Sequence, residues 1–131
     1  MYKIGDKASF RRTVTESDLN LFAGLSGDFN PIHIDAIGAA ESVFGRRIAH
    51  GHLISSYISA VIGMKLPGPG AVCMEQHLKF LRPVYIGDTV TASVEVDKIL
   101  RADKNIIRLI TWVRNQESDM VVEGYTIVKA Q

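Results

Sequence analysis

Asp28 and His33 stand five residues apart in the stretch Phe22-Ala23-Gly24-Leu25-Ser26-Gly27-Asp28-Phe29-Asn30-Pro31-Ile32-His33, with Asn30-Pro31 between them. The residue before a proline is pushed out of the α region, and Asn-Pro favours a turn, so the two side chains are expected on either side of a bend and aimed at one spot. A carboxylate beside an imidazole can take and return protons near neutral pH, because each perturbs the charge state of the other. Such a pair can activate a water molecule without a metal ion.

The elements that must hold this pair can be read from the flanking pattern. Thr15 followed by Asp18 forms a capping-box signature, and Leu19, Phe22, Ala23 and Leu25 then recur at helical spacing, which predicts a helix over 16–26 that delivers the chain to the Asp28 loop. Asp35 is placed to cap a second short helix ending before Gly45. From His50 to Lys65 apolar residues fall on nearly every face, so a central helix over 50–65, surrounded on all sides, is expected. The run Leu66-Pro67-Gly68-Pro69-Gly70 breaks regular structure, and the period then changes to two. Strands are expected over 71–82, 89–100, 106–113 and 121–129, with another near 8–14; Val90, Ala92, Val94 and Val96 alternate with Thr91, Ser93, Glu95 and Asp97. The connectors at 86–88, 103–105 and 117–119 are short enough for hairpins, hence an antiparallel sheet. The fold class is therefore α+β: one domain over residues 1–131, with about five antiparallel strands curled around a long central helix.

Composition excludes several function classes. A net charge of +1 over 131 residues gives no basic footprint for nucleic acid and no charged tail. The longest apolar stretch, 53–64, carries three serines and falls short of the roughly 20 residues that span a bilayer. One cysteine, Cys73, cannot form an internal disulfide, and residues 1–7 lack the apolar core of a secretory signal, so a reducing, cytoplasmic setting is expected.

Taken singly, each candidate has a plainer explanation. An Asp before Phe-Asn-Pro is ordinarily turn chemistry, and an isolated histidine is ordinarily structural. His50 and His52 form a His-x-His pair without a third ligand at credible spacing, so no metal is expected, and His50 is assigned to ordering the start of the helix. Ser55 and Ser56 read as helix residues bonded to the preceding turn, and no Gly-x-Ser-x-Gly elbow supports a nucleophile. Cys73 reads as a small core hydrophobe in a strand. Lys79, Arg82, Arg46 and Arg47 are candidate contacts to substrate phosphates, against the usual role of such residues as solvated surface.

Several motifs in order change the weighing: Phe22 to His33, then Phe44 with Ile48-Ala49-His50-Gly51, Leu66-Pro67-Gly68, Phe80, Pro83-Val84 and Gly87-Asp88-Thr89-Val90. Over nearly its whole length the chain resembles the MaoC-like (R)-specific enoyl-CoA hydratases. The resemblance implies a hot-dog fold, a curved antiparallel sheet wrapped around a long helix. It also implies addition of water to trans-2-enoyl-CoA to give (R)-3-hydroxyacyl-CoA, with Asp28 and His33 as the catalytic pair, no cofactor, and a homodimer or dimer of dimers with sites near the subunit interface. Ser59 matches the position of a secondary substrate contact, and Asn30 is placed with the substrate-binding residues of the loop. His52 departs from the apolar residue usual after the His-Gly pair, which bears on the pocket and not on the mechanism.

The reaction makes three demands: a base for water, an acid for Cα, and donors for charge developing on the thioester oxygen. Asp28 and His33 can meet the first two. Backbone N–H groups at the start of the His50-Gly51 helix can meet the third, where unpaired donors and the positive dipole end coincide, and Gly51 is the expected oxyanion donor. Tyr57 is expected beside the acyl chain, shortening its tunnel. The nearest alternative is a 3-hydroxyacyl-[acyl-carrier-protein] dehydratase, which would use the same groups in reverse. An acyl-CoA thioesterase and a non-catalytic thioester-binding subunit are further rivals, and the joint presence of Asp28 and His33 argues against both.

Overall fold

Alternation along residues 89–97 turns Val90, Ala92, Val94 and Val96 to one side, and all four are fully buried. They lie on the central surface of an antiparallel sheet in the computed structural model, which describes residues 2–131. The elements in chain order are β1 (Lys7–Thr13), α1 (Glu16–Ser26), α2 (Pro31–Ile34), α3 (Ala36–Ala40), α4 (Gly51–Met64), β2 (Val72–Phe80), β3 (Thr89–Arg101), β4 (Ile106–Arg114) and β5 (Met120–Lys129), with one 3-10 turn at Ala102–Lys104. One five-stranded sheet runs β1-β3-β4-β5-β2. It curves around α4, whose Leu53, Ile54, Ile58, Val61 and Ile62 pack into one core with Val94, Leu109, Val113, Val122 and Val128 of the strands. Each such buried aliphatic side chain contributes roughly 1.5–3 kcal/mol.

Three expectations change. The 86–88 connector does not close a hairpin: β2 pairs with β5 at one edge and β3 pairs with β1 near the other, so residues 81–88 carry the chain across. This crossing is anchored by an isolated bridge between Ile48 and Tyr85 and by Gly87 N–H donating to the Val14 carbonyl at 2.8 Å. The other two connectors do close hairpins. The central helix is not surrounded, because His52, Ser56 and Ser59 lie on an open face beside β2. Cys73 is exposed on edge strand β2 and takes no part in the core.

Helix starts follow the sequence closely. The Thr15 hydroxyl accepts the Asp18 N–H at 3.2 Å and the Asp18 carboxylate accepts the Thr15 N–H at 2.9 Å, completing the capping box. Arg12 adds a 2.7 Å ion pair to the buried Asp18. Burial alone would raise the Asp18 pKa, but hydrogen bonds from Arg12 and Thr15 outweigh it and hold the carboxyl below its ordinary value.

Candidate active site

Between α1 and α2 the chain is folded by side chains that each bond the backbone two residues on. Ser26 Oγ accepts the Asp28 N–H at 3.1 Å, Asp28 Oδ1 accepts the Asn30 N–H at 3.1 Å, and Asn30 Oδ1 accepts the Ile32 N–H at 3.3 Å. The last bond caps α2, with Pro31 in its first turn, a helix the bend expected at Asn30-Pro31 had concealed. The Asn30 side chain is thus a cap for α2, and it does not line the cavity described below.

The ladder presents Asp28 to His33. Asp28 Oδ2 lies 4.0 Å from His33 Nε2, the carboxylate about half exposed and the imidazole buried. His33 Nδ1 lies 2.8 Å from the Ile48 carbonyl oxygen. A carbonyl only accepts, so Nδ1 carries the proton of the neutral ring and Nε2 presents its lone pair to Asp28. Two acceptors 4.0 Å apart suit one water donating a hydrogen to each. Burial lowers the His33 pKa and His50 lowers it further, against the opposing pull of the Ile48 carbonyl and Asp28, so the net effect favours the neutral ring.

His33 shares a cavity of about 320 Å³ with Gly51, Ile54, Phe80, Arg82 and Val84 among its lining. Gly51 opens α4, whose first N–H groups have no partner within the helix. The ring of Phe80 sits so close that a β-carbon on Gly51 would lie 2.9 Å from two of its carbons. Ser59 and His52 belong to a separate groove on the open face of α4, with Ser55, Ile62, Cys73 and Gln76. The T-shaped pair of His52 and Phe80, with centroids 5.8 Å apart, stands where the two spaces approach. Tyr57 enters neither space, contrary to expectation. At about 100° per residue, Tyr57 and Ser59 fall on opposite sides of the helix, and Tyr57 is buried edge-on to Phe10 near Arg12.

Two further residues converge on the pair. Arg47 donates from Nε to the His33 carbonyl at 2.6 Å, from Nη1 to Glu16 at 2.7 Å and from Nη2 to Asn20 at 2.9 Å, which removes it from the candidate phosphate contacts. Arg46 lies over the Tyr85 ring, and Arg82 reaches the cavity wall. His50, fully buried, stacks on His33 with ring centroids 3.9 Å apart. Among the described residues Asp28, His33 and His50 form a cluster of metal-ligating types, in place of the His50 and His52 pair. His33 Nδ1 and His50 Nε2 each meet a carbonyl, so each ring has only one nitrogen left for any ligand. The sequence offered Arg47 as a candidate phosphate contact, Phe80 as one of the family motifs and His50 as the residue that orders the helix start, and it joined none of them to the reacting pair.

Residues 2–117 match the MaoC-like domain family. The chain belongs to this family. It is 53% identical over 96% of its length to an (R)-specific enoyl-CoA hydratase of Rhodospirillum rubrum, covering 86% of that protein. Among solved structures it is similar to the (R)-hydratase of Aeromonas caviae involved in PHA biosynthesis, with TM-score 0.94 and 41% identity over 99% of this MaoC-like chain and 98% of the other. An unliganded R-hydratase from Pseudomonas aeruginosa gives TM-score 0.93 at 44% identity, covering 98% of this chain and 82% of that one. The hot-dog architecture expected from the motifs is the one found.

Proposed function

We propose that Asp28 and His33 carry the hydration of trans-2-enoyl-CoA to (R)-3-hydroxyacyl-CoA in this chain, with the Gly51 N–H as oxyanion donor. The observation that supports this most directly is Asp28 Oδ2 facing Nε2 of His33 at 4.0 Å. A water held between them loses a proton to the pair as its oxygen bonds Cβ, and the pair returns a proton to Cα, so the atoms of one water are added across the double bond. Charge that builds on the thioester oxygen meets the first N–H groups of α4, where the positive end of the helix dipole also lies. In this reading Ser59, in the groove across the Phe80 and His52 pair, contacts the acyl chain and not the reacting carbons.

A homodimer completes the reading. Edge strand β2 exposes Val72, Met74 and Phe80 beside the open face of α4, and an unpaired, apolar strand edge is suited to a second copy. Light scattering of the purified chain is expected to give about twice its 14.4 kDa mass. No helix among the described residues is long and apolar enough to cross a membrane. The exposed, unpaired Cys73 suits a cytoplasmic, reducing setting.

The test follows loss of the conjugated thioester absorbance of trans-2-butenoyl-CoA, with product coupled to (R)- and (S)-specific hydroxyacyl dehydrogenases. Signal through the (R) enzyme alone is expected. Asp28→Asn and His33→Gln are each expected to fold and to lose at least about a hundredfold in turnover. Near-normal turnover in either variant overturns the assignment.

A further inference from the structure

Every part of the reacting geometry is touched by one residue that the mechanism above does not use. His50 Nε2 lies 2.9 Å from the backbone carbonyl of Asp28, so Nε2 carries the proton and donates. One face of the ring stacks on His33 at 3.9 Å, and Phe22 of α1 packs against it at 4.9 Å with a 58° tilt. The next residue along the chain is Gly51, the first of α4. His50 stands at the N-cap of that helix, yet its side chain makes no capping bond. Its Nδ1 is buried with no hydrogen-bond partner. A buried acceptor left unpaired is a stability cost that a cap or an apolar ring would avoid.

We infer that His50 is a positioning residue for hydration: it fixes the Asp28 loop, the His33 ring and the Gly51 N–H relative to one another. The inference rests on the reading of Asp28 and His33 given above. Misplacement of a reacting group by about 1 Å can cost 10²-fold in rate, so a residue bonded to the Asp28 backbone and stacked on His33 acts chiefly on kcat. The charged or titratable groups facing His33 are Asp28 from the loop, His50 from the start of α4, Arg47 paired to Glu16 of α1, and Arg82 from the cavity wall. Of these, the stacked ring of His50 opposes protonation of His33 directly.

Two variants of the full chain test this with trans-2-butenoyl-CoA. His50→Phe keeps a stacked ring but loses the donor to Asp28 and the opposing imidazole. It is expected to lower kcat roughly tenfold to a hundredfold, with KM changed less than about twofold, and to move the acid limb of kcat/KM to higher pH. In His50→Gln an amide N–H can still reach the Asp28 carbonyl, so part of the lost kcat is expected to return while the acid limb stays raised. Wild-type kcat and an unmoved acid limb in the folded variants overturn the inference; if His50→Phe does not fold, the Gln variant alone decides on the same two readouts. Asp28→Asn and His33→Gln run alongside separate the two ideas. If they retain turnover, the reading of the pair fails and the His50 inference fails with it. If they are inactive and the His50 variants behave as wild type, only the His50 inference falls.

Discussion

Arg47 holds His33 by its backbone, Nε donating to the His33 carbonyl at 2.6 Å while the rest of the guanidinium reaches Glu16 and Asn20 on α1. One side chain thereby clamps α2 to α1, and its own side chain is only 11% exposed. The planar fork matters, because three partners in different directions cannot be met by a point charge.

Arg47→Lys is therefore not a mild change. It is expected to lower stability by about 1–3 kcal/mol and turnover of butenoyl-CoA by roughly tenfold, as the His33 backbone loosens. Urea denaturation and steady-state kinetics on the same preparation check both. Wild-type values in both would show that the clamp is dispensable.

Gly51 is crowded by Phe80, and the two reasons for a glycine there can be separated. Gly51→Ala puts a β-carbon 2.9 Å from the Phe80 ring, and Phe80→Ala removes that conflict. If the thioester itself needs the space, Gly51→Ala still lowers kcat/KM at least about tenfold in the Phe80→Ala background, on the scale of a weakened oxyanion contact. Full recovery in the double variant would assign the glycine to packing alone.

Acid lowers stability by way of His33. Its folded pKa lies below the ordinary 6.5, so between the two values the unfolded chain binds a proton that the folded chain does not. This stability is complete above pH 6.5 and is lost as the pH falls toward the folded value. Tm is expected to decline on acidification from pH 6.5, and His33→Gln is expected to flatten that decline before the carboxylates, Asp18 among them, begin to titrate. An unchanged slope in His33→Gln counts against a buried neutral imidazole.

Gly124 of β5 faces the His77 carbonyl of β2, and a β-carbon there would collide with that backbone oxygen. Backbone cannot swing aside as a side chain can, so Gly124→Ala is expected to cost at least about 2 kcal/mol and to loosen the β2 edge. Amide exchange across residues 72–80 reads this directly. Protection equal to the parent chain would refute it.

Much of this was legible beforehand because local chemistry dictated it. Thr15 and Asp18 announced a helix start, the valines of 90–96 announced an inward face, and Asp28 with Asn30-Pro31 announced a bend that brings carboxylate and imidazole together. What stayed hidden was long-range. Residues 86–88 have hairpin length, but Tyr85 and Gly87 are held by Ile48 and Val14, contacts with no sequence signal. Tyr57 was misplaced because an apolar pattern on nearly every face of α4 does not say which side the sheet covers. Arg47 read as a candidate phosphate contact or a solvated arginine until α1 and α2 were brought beside it.

The place of β2 has a consequence for how the protein is made. Leu78 pairs with Gly124 and Phe80 with Val122, so the strand that lays Phe80 over Gly51 waits for β5. On the ribosome, Asp28, His33 and α4 emerge long before β5 leaves the exit tunnel, and local contacts form before distant ones. The cavity wall is closed by a strand synthesised well after them, so a nascent chain stalled short of β5 carries its carboxylate, its imidazole and its helix but no finished pocket.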